Sequence, residues 1–169
     1  MFGHTIASLH RSGVAVAPEL LADATRALDH LLHDRPRTAG LIEIVHPWET
    51  GCDDSPRWDD LCPGEGFDLA LWRRHKVEIL ASIDRGPSGA PLHNPRFAVG
   101  SVGFNALVAF NALELQTVTG DDRFAGPVAE LIEAIDARFD ADLRTWVDAG
   151  PTENGSGRAR TADGLLALL

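Results

Sequence analysis

What this chain lacks narrows it first. No stretch is both long and apolar enough to cross a bilayer: the most apolar, VGSVGFNALVAFNALEL, is broken by Ser101, Asn105, Asn111 and Glu114 and reads as a buried helix. Basic residues are in deficit, 15 Lys and Arg against 25 Asp and Glu, so the formal charge of −10 repels phosphate backbones and anionic lipid. Neither nucleic acid nor membrane is the expected partner. Cysteine is scarce, with Cys52 and Cys62 ten residues apart and no CxxC pair, which fits a reduced chain better than a disulfide scaffold or a zinc site. The opening MFGHTIASLHRSGVAVA has no basic segment followed by an unbroken apolar one, so a secretory leader is not supported and a cytoplasmic protein is expected. HExxH and EF-hand spacings are missing as well, which leaves no recognised metal motif.

What remains is ordinary globular material. With 44% hydrophobic and 24% charged residues the 169-residue chain can bury a core of its own, and residues 1–169 are read as a single domain. Helical periodicity dominates. PELLADATRALDHLLHDRP repeats Leu20, Leu21, Ala24, Ala27, Leu28, Leu31 and Leu32 at helical spacing, with Pro18 suited to the first turn. FDLALWRRHKVEILASIDRG puts Leu69, Trp72, Ile79, Leu80 and Ile83 on one side and RRHK on the other. A helix over about 102–118 is apolar nearly all round. The next, over about 124–139, carries the stripe Phe124, Val128, Leu131, Ile132, Ile135 and Phe139, and TGDD between the two supplies a Gly stop and an Asp start. A last helix begins in TADGLLALL. LIEIVH is too short to be read as a strand of a sheet, GPSGAPLHNPRF reads as a loop, and no second strand candidate is convincing.

The chemistry concentrates in HPWETGCDDSPRWDD, residues 46–60, where two tryptophans, a histidine and an arginine stand among five carboxylates. Paired carboxylates can split a glycosidic bond, and aromatic faces line sugar sites. A proton donor working near neutral pH must be destabilised as an anion, which crowded carboxylates and a flanking indole achieve. Gly51 allows a left-handed turn, and Pro47 and Pro56 stiffen the loop. On composition alone the loop reads rather as solvated surface, with Trp48 and Trp58 packing and Arg57 pairing with Asp59 or Asp60. A third reading makes His46, Glu49, Asp53 and Asp54 ligands of a metal.

The order of residues favours the first. HPWETGCDDSPRWD resembles the H-P-W-E-S-G-x-D-N-S-P-R-W signature of the (α/α)6-toroid glycoside hydrolases that include mannosylglycerate and glucosylglycerate hydrolases, with processing α-glucosidase I and trehalases more distant. GLIEIVHPWE, VGFNALVAFNALEL and GRARTADGLLALL are similar to further parts of that family. The resemblance implies an all-α chain forming about half the helical hairpins of a toroid, with its long acidic loop at the active site. It implies Asp53 as the general acid, and Trp48 and the backbone at Gly51 against the sugar; Arg57 and Trp58, in the same signature, are taken with them as substrate-binding residues.

The activity so implied is inverting hydrolysis of an α-glucosyl or α-mannosyl linkage in a small glycoside such as glucosylglycerate or mannosylglycerate, without metal or organic cofactor. The family's general base lies later in the fold, and Glu153 and Asp163 come too early to replace it. The chain is therefore expected to be catalytically crippled alone and to self-associate or dock onto a missing half. The other expectation is a non-catalytic helical module that binds a sugar or a protein through the same loop. Three departures stand out: Thr50 for Ser, Cys52 for a larger apolar residue, and Asp54 where Asn is usual.

Overall fold

A computed structural model describes residues 2–61, 66 and 68–169. Among these residues five α-helices carry the fold: α1 (Gly3–Arg11), α2 (Pro18–Asp29), α3 (Leu69–Ala81), α4 (Val102–Thr119) and α5 (Ala125–Asp136). Helix α4 is central. Its residues Val102, Val108, Ala112 and Leu115 are buried, and α1, α5 and a 3₁₀ turn at Asp163–Leu168 all pack on it. Its C-terminus stops at Gly120, which takes the left-handed conformation at φ 67° and donates its N–H to the Gln116 carbonyl at 2.8 Å. The Asp start expected for α5 is not used, since Phe124 occupies its N-cap and no side chain caps the helix.

Helix α1 is not among the expected elements, although it buries Ile6 and Ala7 on one face. It lies so close to α4 that a Cβ at Gly3 would collide with the Asn111 carbonyl, and only glycine admits this approach. On α5 the stripe holds for Phe124, Val128, Leu131 and Ile135, while Ile132 is partly exposed and Phe139 has left the helix.

The all-α expectation needs correction, because short antiparallel strands are present. LIEIVH supplies β2 (Leu41–Ile44), the middle strand of a three-stranded sheet between β1 (Arg37–Thr38) and β5 (Val99–Gly100). All four β2 residues are buried. The strand survives at this length because α4 completes its bonding: the Asn105 side chain accepts from the Ile42 N–H at 2.8 Å and donates to the Ile42 carbonyl at 2.9 Å. Two further hairpins pair β3 (Asp84–Arg85) with β4 (Pro91–His93) and β6 (Phe139–Asp140) with β7 (Thr145–Trp146). The first of these ends inside the stretch expected to be loop. No helix among the described residues is long and apolar enough to cross a membrane.

Helix α3 holds the largest surprise. Asp68 caps it by accepting from the Ala70 and Leu71 N–H groups at 2.8 and 3.1 Å. Its buried face is Trp72, His75, Lys76 and Ile79, whereas Leu69 and Leu80, expected to face inward, are partly exposed. The helix thus turns part of its basic side toward the protein and toward the acidic loop.

Candidate functional site

The loop starts directly after β2 and is fixed at both ends. At its first end His46 is buried, and its ring is read from its partners: Nδ1 accepts from the Trp48 N–H at 3.1 Å, so Nε2 carries the proton given to the Lys76 carbonyl at 3.0 Å. Burial lowers the His46 pKa, with the bond to that carbonyl opposing, and the ring stays neutral. This arrangement starts a 3₁₀ turn at Pro47–Thr50, which Gly51 ends at φ 70°. Thr50 Oγ1 donates to the Pro47 carbonyl at 2.8 Å and accepts from the Cys52 N–H at 3.0 Å, both of which a serine could do.

Glu49 points inward. The Arg35 guanidinium donates to both of its oxygens at 3.0 Å, and the Val45 N–H donates to Oε2 at 2.6 Å. With Glu49 and both His46 nitrogens so engaged, the expected metal-binding alternative has no set of free ligands; no group of three or more candidate ligands occurs among the described residues.

At its second end the loop runs through a 3₁₀ turn at Pro56–Leu61. Trp58 is 0% exposed, packs edge-on against Phe97 with ring centroids 5.4 Å apart, and donates its indole N–H to the Cys52 carbonyl at 2.8 Å. Arg57, 2% exposed, lies 4.2 Å over the Trp58 ring and pairs with Asp148, at 3.1 Å, and with Asp163. Neither Asp59 nor Asp60 is its partner. Burial pushes the Asp148 carboxyl up, while Arg57 and the Val102 N–H pull it down. The two residues expected at the sugar, Arg57 and Trp58, thus face protein on all sides. Cys52 is a free, half-buried thiol; Cys62 lies outside the described residues.

Between these ends the chain reaches the surface. Trp48 is 52% exposed and rests on the His46 ring, centroids 4.3 Å apart, which presents an open indole face beside the loop. The side chain of Asp53 is 40% exposed. Below it, Lys76 of α3, only 7% exposed, donates to Asp53 Oδ2 at 3.2 Å and to Asp54 Oδ1 at 2.7 Å, and the Trp72 indole N–H donates to that same Asp54 oxygen at 2.8 Å. Hydrogen bonds from Lys76 and then Trp72 hold Asp54 below the usual carboxylate range. Burial pulls the Lys76 ammonium down, but its bonds to Asp54 and Asp53 outweigh this and its pKa is raised.

Sequence reasoning missed Lys76, Trp72, Arg35 and Asp148. A signal existed for the first: Trp72, His75, Lys76 and Ile79 stand at i, i+3, i+4 and i+7, so the lysine lies within a stripe that buries itself.

Solved structures share the fold. The chain superposes on a glycoside hydrolase family 63 mannosylglycerate hydrolase from Thermus thermophilus in complex with Tris and D-glycerate, with a TM-score of 0.69 and 18% identity, over 98% of this chain and 49% of that one. The same enzyme in complex with glucose gives a TM-score of 0.58 at 24% identity, over 89% and 41%. These likenesses establish a glycoside hydrolase fold. The particular family follows from residues 4–169, which match the mannosylglycerate hydrolase MGH1-like glycoside hydrolase domain, and the chain belongs to that family. Among curated relatives, mannosylglycerate hydrolases of Thermus thermophilus and Rubrobacter radiotolerans are 32% identical over 101 residues and 35% over 66. These alignments cover 46% and 37% of this chain but only 24% and 15% of the relatives.

Proposed function

We propose that this chain is the acid-bearing part of an inverting α-glycosidase of (α/α)6-toroid type, acting on a small α-mannosyl or α-glucosyl compound such as mannosylglycerate or glucosylglycerate. Asp53 protonates the departing oxygen. Trp48 provides the flat apolar face for the sugar ring, and Gly51 lets the backbone come near it. The observation that carries this reading is that one loop, anchored at both ends, exposes both a carboxylate, Asp53, and an indole, Trp48. Arg57 and Trp58 hold the loop rather than the substrate, because their contacts are internal.

The general base comes from outside residues 1–169. An inverting pair requires carboxylates about 6.5–9.5 Å apart, with water between them. The apolar groove between α4, α5 and the last turn, lined by Phe110, Leu113, Ile132, Leu166 and Leu169, receives the rest of the ring. No metal or organic cofactor takes part in the bond cleavage, and the protein works in the cytoplasm.

The test supplies the missing nucleophile. The chain is incubated with mannosylglycerate or glucosylglycerate and sodium azide: azide attacks C1, the bond from C1 to the glycerate oxygen breaks, and Asp53 gives that oxygen its proton. The expected product is the inverted glycosyl azide, formed by the wild type and not by Asp53→Asn. Equal product from both overturns the acid assignment. Hydrolysis without azide that depends on Asp53 places the base within this chain. Sugar binding that is lost in Trp48→Ala and gives no product with azide makes the chain a non-catalytic sugar-binding module.

A further inference from the structure

Lys76 touches the loop at two separate points. Its backbone carbonyl accepts the proton of His46 Nε2, and its ammonium bonds Asp53 Oδ2 and Asp54 Oδ1, so one residue of α3 spans the loop from its first turn to its exposed middle. A lysine this buried is rare unless paired, and the short contact of 2.7 Å is to Asp54 rather than to Asp53. Asp54 is in turn tied to α3 by the Trp72 indole, one helical turn before Lys76. The three groups form a closed set in which each fixes the position of another.

We propose that Asp54, Trp72 and Lys76 form a positioning clamp for Asp53: they hold its Oδ2 and leave its Oδ1, on a side chain 40% exposed, to carry the proton that is delivered. This rests on the reading of Asp53 as the acid. Among the described residues no hydrogen bond reaches Oδ1. Asp54 is therefore not a second acid. Both hydrogen bonds reach its Oδ1 from α3, and at 2.7 Å against 3.2 Å it keeps the Lys76 ammonium nearer to itself than to Asp53, as an acid that must carry a proton requires. Among the described residues the charged groups acting on Asp54 are Lys76 and Arg73 from α3, and Asp53 of its own loop shares the Lys76 ammonium with it.

Nuclear magnetic resonance of the whole chain tests the clamp without any turnover. The Trp72 indole N–H signal is expected to shift as Asp54 takes up a proton in acid; Asp54→Asn abolishes that titration, Lys76→Met moves its midpoint to higher pH, and Lys76→Arg leaves it near the wild-type position. The Asp53 carboxyl ¹³C signal moves in Lys76→Met and is restored in Lys76→Arg. An indole signal indifferent to Asp54→Asn, or an Asp53 signal unmoved in Lys76→Met, overturns the clamp.

With mannosylglycerate and azide as probes, Lys76→Met lowers the rate about 100-fold, as an ångström of misplacement can, with KM little changed. Should the wild type give no product, the reading of Asp53 as acid fails at that step while the resonance data still decide the clamp.

Discussion

Helix α4 and the acidic loop meet in one core, yet opposite forces hold them. The helix is secured by many interchangeable apolar contacts, each worth about 1.5–3 kcal/mol per buried large side chain. The loop is secured by a few singular bonds to distant places: His46 to the Lys76 carbonyl, Glu49 to Arg35, Arg57 to Asp148 and Asp163. The difference teaches where damage is absorbed and where it is not. A packed helix can relax around a lost methyl group, whereas a buried ion deprived of its partner cannot be solvated.

The sharpest way to break that contrast is Arg57→Met, which leaves Asp148 and Asp163 without their cation. A loss of about 3–5 kcal/mol in urea unfolding is expected; a loss below about 1 kcal/mol would put the loop on the same footing as surface ion pairs. Leu115→Ala, in the middle of α4, should cost about 2–5 kcal/mol and leave the loop's resonances in place.

A pH series separates the regions next. Because the His46 pKa is lowered from 6.5, the unfolded chain takes up this proton before the folded one does. Its contribution is complete above about pH 6.5 and is lost as pH falls through the lower folded value. Denaturation at pH 7.5 and 5.5 should show the loss, and His46→Gln should flatten that part of it.

Gly51→Ala is a smaller probe of the loop alone. A Cβ there meets no atom within 4 Å, so the cost is that of a left-handed alanine, about 1–2 kcal/mol by thermal unfolding. Smallest is Trp48→Ala, expected within about 0.5 kcal/mol of wild-type stability because the indole is largely in solvent, while sugar binding is lost.

The same division decides what was legible beforehand. The helix expected over 102–118 is found at Val102–Thr119, because an apolar pattern states its own burial. The loop was legible in its residue types and, through the order HPWETGCDDSPRWD, as far as the family, but not in which of its side chains are buried. Nothing in HPWETGCDDSPRWDD distinguishes the fate of Trp48 from that of Trp58, since burial of the second depends on Phe97 and Arg57 rather than on the pattern around it. Lys76 was passed over for a related reason: RRHK reads as a solvated face, although the stripe from Trp72 to Ile79 already includes the lysine. The strand at Leu41–Ile44 was equally hidden, because its partners lie at residues 37–38 and 99–100 and its last bonds come from Asn105.

One seam of the loop runs through main-chain atoms. The Trp58 indole clasps the Cys52 carbonyl, and the Thr50 hydroxyl links the Pro47 carbonyl to the Cys52 amide. Any amino acid at position 52 offers that same carbonyl, and a serine at 50 keeps both links. The path of the loop past Asp53 therefore asks only for a hydroxyl at position 50 and a main-chain N–H and carbonyl at position 52.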